Sequence, residues 1–450
     1  MLCALVLPIQ VLPTLASAAS HYILPSPGTG THVGTDWNNA CSGFTGNCDP
    51  GRMVRGDTYY VGGGAYPGGY TFNVASSGSS IISILGATAA NSGAVTGWSS
   101  TYDVSSTPAT FGATIEFDTS YWTFDGTVGT PFDNTPVHYG FSFGTTLGQA
   151  LTIGTAGSGG VCGSAVSNLT FAHFYGKATS SDVEKEFEEG NIYGGVLTNI
   201  TFTNFLIDGW QGLFMTKSGG CSPTPYTGWI VQYGVMLNGF SSSANHGEWI
   251  DPNERAISGL VVRYNIFRGS SGTAGMTGTI VANNSDNNNA QIYGNVFDSL
   301  LVGNGVITGT SAGNLNNAVV YNNTFLNTTV ATNNPIGGSG QGSGNVAYNN
   351  LMYNMSASLG GGFTSDYNAY FATTNTPSEA HGQIASSNPF ANLAGGTYLL
   401  TSDTAPWTPL VPPYNVDPDG VTRTSSRGGY QFSSGGGAPA PPTGLTCVVQ

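Results

Sequence analysis

Val-Tyr-Asn-Asn-Thr-Phe (residues 320–325) is one of seven segments that repeat a single pattern along the middle of this chain. The others are Thr-Phe-Ala-His-Phe-Tyr (170–175), Ile-Thr-Phe-Thr-Asn-Phe (200–205), Val-Gln-Tyr-Gly-Val-Met (231–236), Val-Arg-Tyr-Asn-Ile-Phe (262–267), Ile-Tyr-Gly-Asn-Val-Phe (292–297) and Ala-Tyr-Asn-Asn-Leu-Met (347–352). Successive spacings are 31, 30, 31, 30, 28 and 27 residues, counted at the anchors His173, Asn204, Gly234, Asn265, Asn295, Asn323 and Asn350. A nearly fixed period in this range indicates a repeat architecture.

Each repeat contains one or two short β-type runs and almost no helix-forming stretch, which excludes solenoids of helix pairs. Two columns are predicted to face inward: Thr170, Thr201, Val231, Val262, Ile292, Val320 and Ala347, and Tyr175, Leu206, Met236, Phe267, Phe297, Phe325 and Met352. Coils of this size bury apolar residues only by stacking on equivalent coils. Stacking places equivalent strands side by side, parallel, at roughly 4.8 Å per coil. The pattern therefore predicts an all-β parallel β-helix with Asn amides hydrogen-bonded along a column.

Composition and charge narrow the possible partners. Only 8% of the residues are charged, and ten Lys and Arg against twenty-four Asp and Glu give a formal net charge of −14. Nucleic acid is therefore excluded as a partner, because neutralising phosphates requires clustered Lys and Arg. Binding to anionic membranes is excluded for the same reason, and no stretch beyond the first residues is apolar enough to span a bilayer. We expect a monomer.

The sequence divides into four segments. Residues 1–18 are predicted to be a secretory signal peptide, since an apolar run precedes an Ala-Ser-Ala step at 16–18; the alternative is a buried strand of the N-terminal cap. Residues 19–56 are predicted to cap the open end of the solenoid, and residues 57–432 to form it. Residues 433–450 are predicted to be a flexible tail, rich in Gly and Pro. An acidic insertion at 181–189 is predicted to be a short helix with a capping box.

The cysteines fit an oxidising compartment, so we expect a secreted or cell-surface protein. Cys41 and Cys48 close a short loop and are expected to form a disulfide. Cys162 and Cys221 are expected to pair across neighbouring coils, which leaves Cys447 in the tail. No Cys or His spacing indicates zinc.

Charged residues are scarce, so a cluster of them is informative. Eight fall within 52 residues: Lys217, His246, Glu248, Asp251, Glu254, Arg255, Arg263 and Arg268. Lys217 lies 13 residues after its anchor, and His246 and Glu248 lie 12 and 14 after theirs. Equal offsets predict that the three side chains lie on one face of neighbouring coils. The alternative is structural, with Glu248 paired to Arg255 or Arg263.

Two chemistries suit this cluster. A polysaccharide lyase needs a cation to neutralise a uronate carboxylate and a base for the adjacent proton. Lys217 or His246 are the candidate bases, and Arg263 or Arg268 the candidate neutralising groups. A Ca²⁺ ion that bridges carboxylates would help an acidic protein to accept an anionic substrate.

A glycoside hydrolase needs two carboxylates, roughly 5–10 Å apart depending on mechanism. Glu248 with Asp251 or Asp208 are the available pairs. The predicted catalytic residues of the two chemistries together are Lys217, His246, Glu248, Asp251 and Arg263.

Aromatic residues supply candidate sugar contacts. The column two before each anchor is predicted to point outward and contains Phe171, Phe202, Gln232, Arg263, Tyr293, Tyr321 and Tyr348. Outward rings in a row can stack on sugars, or they can simply stabilise the stacked coils. The predicted substrate-binding residues are Trp210, Trp249, Arg255, Arg268 and Tyr293.

The Asn-Asn-x-Phe segments, Arg55-Gly56-Asp57-Thr58-Tyr59-Tyr60-Val61 and Asp-x-Asp-Gly-x-x-Arg at 417–423 carry a family resemblance. Over residues 50–432 the chain resembles secreted bacterial right-handed parallel β-helix proteins of the pectate-lyase-like superfamily. The resemblance implies a right-handed fold. Members of that superfamily include polysaccharide lyases, glycoside hydrolases and epimerases, and a fold does not determine an activity.

We therefore expect a carbohydrate-active protein, either a polysaccharide lyase or a glycoside hydrolase, that holds a polysaccharide in a groove along the helix. The competing class is a non-catalytic solenoid that binds carbohydrate as an adhesive or structural protein. Its support is the Gly-, Ser-, Asn- and Thr-rich composition.

Overall fold

The computed structural model describes residues 18–26, 30–144, 150–154, 165–177, 187–188, 195–210, 212–216, 224–240, 247–271, 276–332, 334–338, 340–393, 397–404 and 410–432. Within these ranges the strands pair in parallel from coil to coil, and the largest sheet contains 25 strands. The chain therefore folds as a parallel β-helix, as the repeat predicts.

Three stacks of strands form the walls of the helix. The first stack contains Ser20–Leu24, Thr58–Val61, Ile82–Gly86, Trp122–Asp125, Val166–Lys177, Leu197–Asp208, Ile230–Gln232, Val261–Arg263, Gln291–Tyr293, Val319–Tyr321, Asn345–Tyr348 and Phe363–Asp366, with Cys41–Ser42 beside its first strand. The second stack shares the two long strands and contains Gly64–Tyr66, Ala109–Phe111, Phe141–Phe143, Val235–Phe240, Ile266–Ser271, Val296–Asp298, Thr324–Leu326, Leu351–Tyr353, Ala369–Phe371 and Gln383–Ala385.

The third stack consists of two sheets. One contains Tyr70–Phe72, Ile115–Phe117 and Leu151–Ile153, and the other Phe187–Glu188, Phe214–Met215, Glu248–Asp251, Met276–Ala282, Leu301–Gly309 and Thr329–Val330. Short strands at one corner are Tyr226–Thr227, Ile257–Ser258, Asn287–Asn288 and Leu315–Asn316. The described helices are the α-helix Ala89–Ser92 and the 3-10 helices Gly46–Cys48, Ser100–Tyr102 and Pro136–His138.

One boundary and one element type differ from the expectation. The strand Ser20–Leu24 pairs in parallel with Thr58–Val61, so the helical stack begins inside the segment expected to be the cap. Phe187–Glu188 is a strand that pairs with Phe214–Met215, which corrects the helix predicted for this end of the acidic insertion; residues 181–186 and 189 lie outside the described ranges. No helix in the described part of the chain is long and apolar enough to cross a membrane.

Aligned aromatic rings fill the core behind the second stack. Phe267, Phe297 and Phe325 stack nearly parallel, with centroid distances of 4.9 and 4.8 Å. In the first stack Val231, Val262 and their equivalents point inward and are buried. The inward columns predicted for these later coils are confirmed.

In the earlier coils, the alignment predicted from the anchors slips by one residue relative to the observed strand pairing. Phe202 pairs with Val231 and Thr203 with Gln232, so Asn204 is equivalent to Tyr233 and not to the anchor Gly234. Thr170, Thr201 and Tyr175 are therefore not inward residues, and Phe171 and Phe202 are buried instead of pointing outward.

The corner between the first and second stacks explains the slip. Its buried position is occupied by Phe174, Phe205, Gly234, Asn265, Asn295, Asn323, Asn350 and Asn368. A Cβ atom on Gly234 would lie 2.2 Å from Cζ of Phe205, so the ring of one coil excludes any side chain in the next. Because Phe, Gly and Asn share one column, aligning the small polar residues misplaces the first coils.

The residue before this corner position has a left-handed backbone. It is His173, Asn204, Tyr233, Tyr264, Gly294, Asn322, Asn349 and Tyr367, with φ between 50° and 67°. Gly and Asn adopt this conformation readily, whereas an aromatic residue there is strained. Tyr233 and Tyr264 occupy the position although Asn or Gly would fit it better.

Candidate functional site

The predicted catalytic carboxylates lie in the third stack. Glu248 and Asp251 are only 3% and 1% exposed. Burial raises the pKa of Glu248 to about 7, although a hydrogen bond with Thr277 lowers it. Both side chains are buried, so neither contacts a polysaccharide on the described surface, and their catalytic role stays a prediction. Lys217 and His246 lie outside the described residues and stay predictions.

The equal-offset argument for this cluster does not hold in the third stack. Phe214 pairs with Ile250, and Met215 with Asp251. The separation between these partners is longer than the repeat period, since extra residues precede Glu248. Counting from the anchors therefore does not show which residues of this stack lie beside Glu248.

Two predicted sugar-binding tryptophans belong to the core. Trp210 and Trp249 are 2% and 0% exposed, and the Trp249 ring lies 5.5 Å from that of Phe267. A buried indole offers no face to a ligand, so the predicted role of both is wrong.

Arg255 is also buried, and its contacts are structural. Its Nε donates to the carbonyl oxygen of Thr224 at 2.9 Å and its Nη1 to that of Gly195 at 3.0 Å. The guanidinium lies over the ring of Tyr226 at 4.6 Å. Arg255 thus joins successive coils, and its predicted contact with substrate is not supported.

Arg268 secures the C-terminal part of the chain. Its Nε donates to the hydroxyl of Tyr398 at 3.0 Å and lies 3.3 Å from a carboxylate oxygen of Asp298. The same tyrosine hydroxyl donates to Asp298 at 2.9 Å. These three groups form one hydrogen-bonded cluster, and the Arg268 side chain is 33% exposed, so its predicted contact with substrate stays a prediction.

Arg263, by contrast, lies in an accessible row of side chains on the outer face of the first stack. The row, which we call the outer ladder, follows the strand pairing through Thr203, Gln232, Arg263, Tyr293, Tyr321 and Tyr348. The outward column predicted from Gln232 onward is therefore confirmed. All its members are half-buried except Tyr293, which is 1% exposed. Tyr293 is therefore not available to a sugar, contrary to its predicted binding role.

The guanidinium of Arg263 is held in a fixed orientation. Its Nε donates to Oε1 of Gln232 at 2.8 Å, and its Nη1 donates to the hydroxyl of Tyr293 at 2.9 Å. Nε2 of Gln232 in turn lies 3.4 Å from Oγ1 of Thr203. Charge-assisted hydrogen bonds of this kind orient a planar cation for an anionic group.

Strained tyrosines flank this cation. Tyr264 lies 5.6 Å from the guanidinium carbon of Arg263, and its ring is 5.4 Å from that of Tyr233. Phe132 packs edge-on against Tyr233 at 6.0 Å. Tyr233 is half-buried and lies at the same corner as Arg263.

A C-terminal arm, residues 410–432, closes the other side of this corner. The hydroxyl of Tyr264 donates to the carbonyl oxygen of Val416 at 3.3 Å. The carboxylate of Asp417 accepts from the backbone amides of Asp419, Val421 and Gln431 at 2.8–3.1 Å. Asp417 is therefore a turn-forming residue, and it fixes the position of Asp419.

Electrostatics connect Asp419 to the tyrosines. Burial, together with the charge of Asp417, raises the pKa of Asp419 to about 6. Burial is the largest of the effects that raise the pKa of Tyr233, and the charges of Asp417 and Asp419 add to it. The charge of Arg263 acts in the opposite direction and lowers the pKa of Tyr233, so Tyr233 responds both to this cation and to the carboxylates of the arm. We call Gln232, Tyr233, Arg263 and Asp419 the corner site.

Sequence reasoning identified Arg263 but not Tyr233 or Asp419. Their left-handed column does not single out Tyr233 and Tyr264, because His173 and Tyr367 occupy the same position in other coils. Asp419 lies in the motif at 417–423, but only the folded arm shows that this motif returns to the coils of Tyr233 and Tyr264.

The remaining predictions concern disulfides and metal binding. Cys41 and Cys48 form a disulfide, whereas Cys162 and Cys221 lie outside the described ranges. In the described part of the chain, no group of three or more His, Cys, Asp or Glu side chains could hold a metal ion. A role for Ca²⁺ stays a prediction.

No protein-family model and no curated protein matches the sequence. Among solved structures, the pectate lyase Pel9A is similar, with a TM-score of 0.45 and 12% identity over 93% of this chain and 98% of that one. The PL6-family alginate lyase AlyGC has a TM-score of 0.29 and 10% identity over 82% and 53%. The A-module of the Azotobacter vinelandii mannuronan C-5 epimerase AlgE6 has a TM-score of 0.20 and 10% identity over 74% and 91%. At these values the fold rests on the strand pairing and the function on the site alone.

Proposed function

We propose that this protein binds a uronate-containing polysaccharide across Thr203, Gln232 and Arg263 and cleaves it by β-elimination beside Tyr233. The observation that carries the proposal is the half-buried guanidinium of Arg263, fixed between Gln232 and Tyr293 in an accessible row of polar side chains. A pre-oriented cation in such a row fits a carboxylate on a chain that runs along the helix axis.

The geometry of the outer ladder favours a linear polymer. Its side chains repeat once per coil, roughly every 4.8 Å. Hydroxyl and amide groups of Thr203 and Gln232 can hydrogen-bond sugar hydroxyls, and the guanidinium of Arg263 can pair with a carboxylate. The protein is acidic overall, so this local cation would select where an anionic chain binds.

In the proposed elimination, Arg263 stabilises the negative charge that develops on the uronate carboxylate. A base removes the proton from the carbon next to that carboxylate, and the electron pair forms a carbon–carbon double bond. The bond to the glycosidic oxygen breaks, and a proton transferred to that oxygen completes the cleavage. Electrostatic stabilisation of such a charge is usually the largest contribution to catalysis.

We assign the two proton transfers to Asp419 and Tyr233, since the arm that carries Asp419 contacts Tyr264 through Val416 and the charge of Asp419 acts on Tyr233. Asp419 has a pKa of about 6, so much of it is ionised near neutral pH and can accept a proton. Tyr233 has a raised pKa, stays protonated, and can donate to the departing oxygen. Lys217 and His246, which lie outside the described residues, remain the alternative bases predicted from the sequence.

A second candidate function is non-catalytic binding of carbohydrate by the same surface. The parallel, half-buried rings of Tyr321 and Tyr348, 5.8 Å apart, favour it, since stacked rings can hold sugars without any chemistry. In either case we infer an extracellular location, which the Cys41–Cys48 disulfide supports.

The test is a screen of the purified full-length protein against pectate and alginate, two polyuronates, with dextran as a neutral control. Ultraviolet absorbance of the unsaturated product and release of reducing ends are measured in parallel, with added Ca²⁺ and with a chelator. Unsaturated product supports the lyase function. Reducing ends without unsaturation contradict β-elimination and indicate hydrolysis.

Binding is measured on the same samples by calorimetry. Binding of polyuronates without product supports the second candidate. Absence of both binding and product on polyuronates overturns the proposed function. Arg263→Ala is the matched variant, since it removes the cation that distinguishes polyuronates from dextran.

A further inference from the structure

The C-terminal arm lies across the outer ladder and inserts one side chain into it. The ring of Tyr414 contacts Tyr293 at 5.0 Å and Tyr321 at 5.1 Å, at interplanar angles of 85° and 89°. It therefore stands edge-on against two successive tyrosines of the ladder, where a ligand running along the helix axis would pass.

Hydrogen bonds hold Tyr414 in this place. Its hydroxyl donates to Oε1 of Gln291 at 3.0 Å, and its carbonyl oxygen accepts from Nδ2 of Asn322 at 2.8 Å. Both partners belong to the same two coils as the tyrosines that its ring contacts. The arm is thus matched to the ladder by its backbone as well as by its ring.

The position of Tyr414 divides the outer ladder into covered and partly exposed side chains. Tyr293 is 1% exposed, whereas Tyr321 and Tyr348, farther from Arg263, remain half-buried and stack in parallel. Tyr414 therefore separates the polar half of the ladder, which ends at Arg263, from the aromatic half, which begins at Tyr321. Arg263 and Tyr321 are two coils apart, roughly 10 Å.

We propose that Tyr414 occupies a sugar subsite of the outer ladder and sets the length of polyuronate that the protein accepts. The inference rests on the proposed function. A chain bound at Gln232 and Arg263 meets the Tyr414 ring at the next coil and cannot continue onto Tyr321 and Tyr348. Tyr414 is thus a specificity-determining residue, and removing its ring would join the two halves into one longer binding surface.

The test is calorimetric titration with two series of oligomers of increasing length, one of galacturonate and one of mannuronate. With the natural protein, affinity stops rising once the oligomer reaches the arm. With Tyr414→Ala, affinity continues to rise, and the longest oligomers bind about three- to tenfold more tightly, because uncovered rings become available for stacking. Tyr414→Phe keeps the ring and is expected to behave like the natural protein.

A gain in affinity separates this role from a structural one, because loss of a merely structural contact does not tighten binding. Adding Tyr321→Ala to Tyr414→Ala removes the gain if the uncovered ladder is its source. Tyr414→Leu, which keeps apolar cover for the neighbouring rings, gives a smaller gain and serves if Tyr414→Ala does not fold.

The outcomes are distinguishable. If the natural protein binds no oligomer of any length, the proposed function itself fails and this inference with it. If the natural protein binds, and a folded Tyr414→Ala or Tyr414→Leu variant shows the same length dependence, the subsite is overturned while the proposed function stands.

Discussion

Glu379 occupies the place that the next asparagine would take after Asn368, the last member of the buried ladder of asparagines at the corner between the first and second stacks. Along the ladder, Oδ1 of each Asn accepts from the backbone amide and from Nδ2 of the Asn one coil earlier, as for Asn295 and Asn323 at 3.0 Å. At its end, the Glu379 carboxylate accepts from N and Nδ2 of Asn368 at 3.0 and 2.8 Å. One carboxylate therefore closes a hydrogen-bonded column that begins at Asn265.

Replacing Glu379 by Ala is expected to destabilise the helix from this end. Asn368 is fully buried, so its two donors would lose their acceptor, at a cost of about 1–3 kcal/mol. Urea denaturation followed by circular dichroism measures the change. Glu379→Gln keeps one acceptor oxygen and is the matched variant, with a smaller expected loss. Equal stability of Glu379→Ala and the natural protein would contradict the role given to this carboxylate.

How far the sequence predicts the fold depends on which contacts are local. The repeat period and the alternation around Val262 and Ile292 are properties of the chain itself, and they predicted the parallel stacks and the outer ladder. The register of the earlier coils depends on whether Phe205 or Asn204 enters the corner. That choice is made by contact with Gly234 in the next coil, which no alignment of small polar residues shows.

The candidate site divides in the same way. Arg263 was predicted because charged residues are rare and it belongs to the one stretch where they cluster. Asp419 was not, since the arm that carries it is far along the chain and returns to the coil of Tyr264 only after folding. Glu248 was misplaced because extra residues in its coil change the offset on which the prediction depended.

The contact of Phe205 with Gly234 predicts a cost for any side chain at position 234. In Gly234→Ala, the new Cβ would overlap the Phe205 ring, because it would lie only 2.2 Å from Cζ of that ring. Overpacking of this kind costs about 1–3 kcal/mol. Thermal denaturation of the variant gives the change.

Two further variants sharpen this test. Gly361→Ala is the control, because a Cβ there meets no atom within 4 Å, and its stability is expected to match the natural protein. In a Phe205→Ala background the cost of Gly234→Ala should shrink, since contacting residues are not additive. An undiminished cost would show that something other than the ring excludes side chains there.

The ion pair of Asp125 with His173 predicts a pH-dependent contribution to stability. Burial acts to raise the pKa of Asp125, but the hydrogen bond to Nδ1 of His173 at 2.7 Å and the charge of His173 lower it overall. A lowered pKa means that the ionised form is stabilised by folding. This contribution is present above the ordinary aspartate pKa of about 3.9 and is lost as the pH falls through the lower folded value.

Comparison with Asp125→Asn measures that contribution. The melting temperature of the natural protein should exceed that of the variant at pH 6. The difference should shrink as the pH falls below about 4 and close once the pH is below the lowered pKa of folded Asp125, where both states bind the proton. A difference that is the same at every pH would mean that the pair acts through packing and not through charge.

If the proposed elimination is correct, ionisation of Asp419 determines the acidic limb of the profile of activity against pH. Its pKa of about 6 implies that the fraction of ionised base, and hence the rate of product formation, rises with pH through about 6. Asp419→Asn should abolish most of the activity. The variant Asp286→Asn removes the same charge from an exposed position and should keep both the rate and the limb.

The same ionisation has a consequence for stability that does not depend on any substrate. A carboxylate whose folded pKa is raised binds its proton more tightly in the folded state, so stability decreases as the pH rises from about 4 to about 6. Asp419→Asn should lessen this decrease when the free energy of unfolding is compared at the two pH values. An unchanged decrease would place the titrating group elsewhere.

The fixed orientation of Arg263 predicts that a positive charge alone does not suffice for binding a polyuronate. Its fork is held by Gln232 and Tyr293, and a lysine ammonium cannot make both bonds and still face a carboxylate in a plane. Arg263→Ala is expected to weaken polyuronate binding about ten- to a hundredfold, and Arg263→Lys to recover little of it. Arg52→Ala removes an equal charge from an exposed position and should bind normally. If Arg263→Lys binds polyuronates as well as the natural protein, the outer ladder attracts anions through net charge, and the fixed guanidinium loses its place in the proposed site.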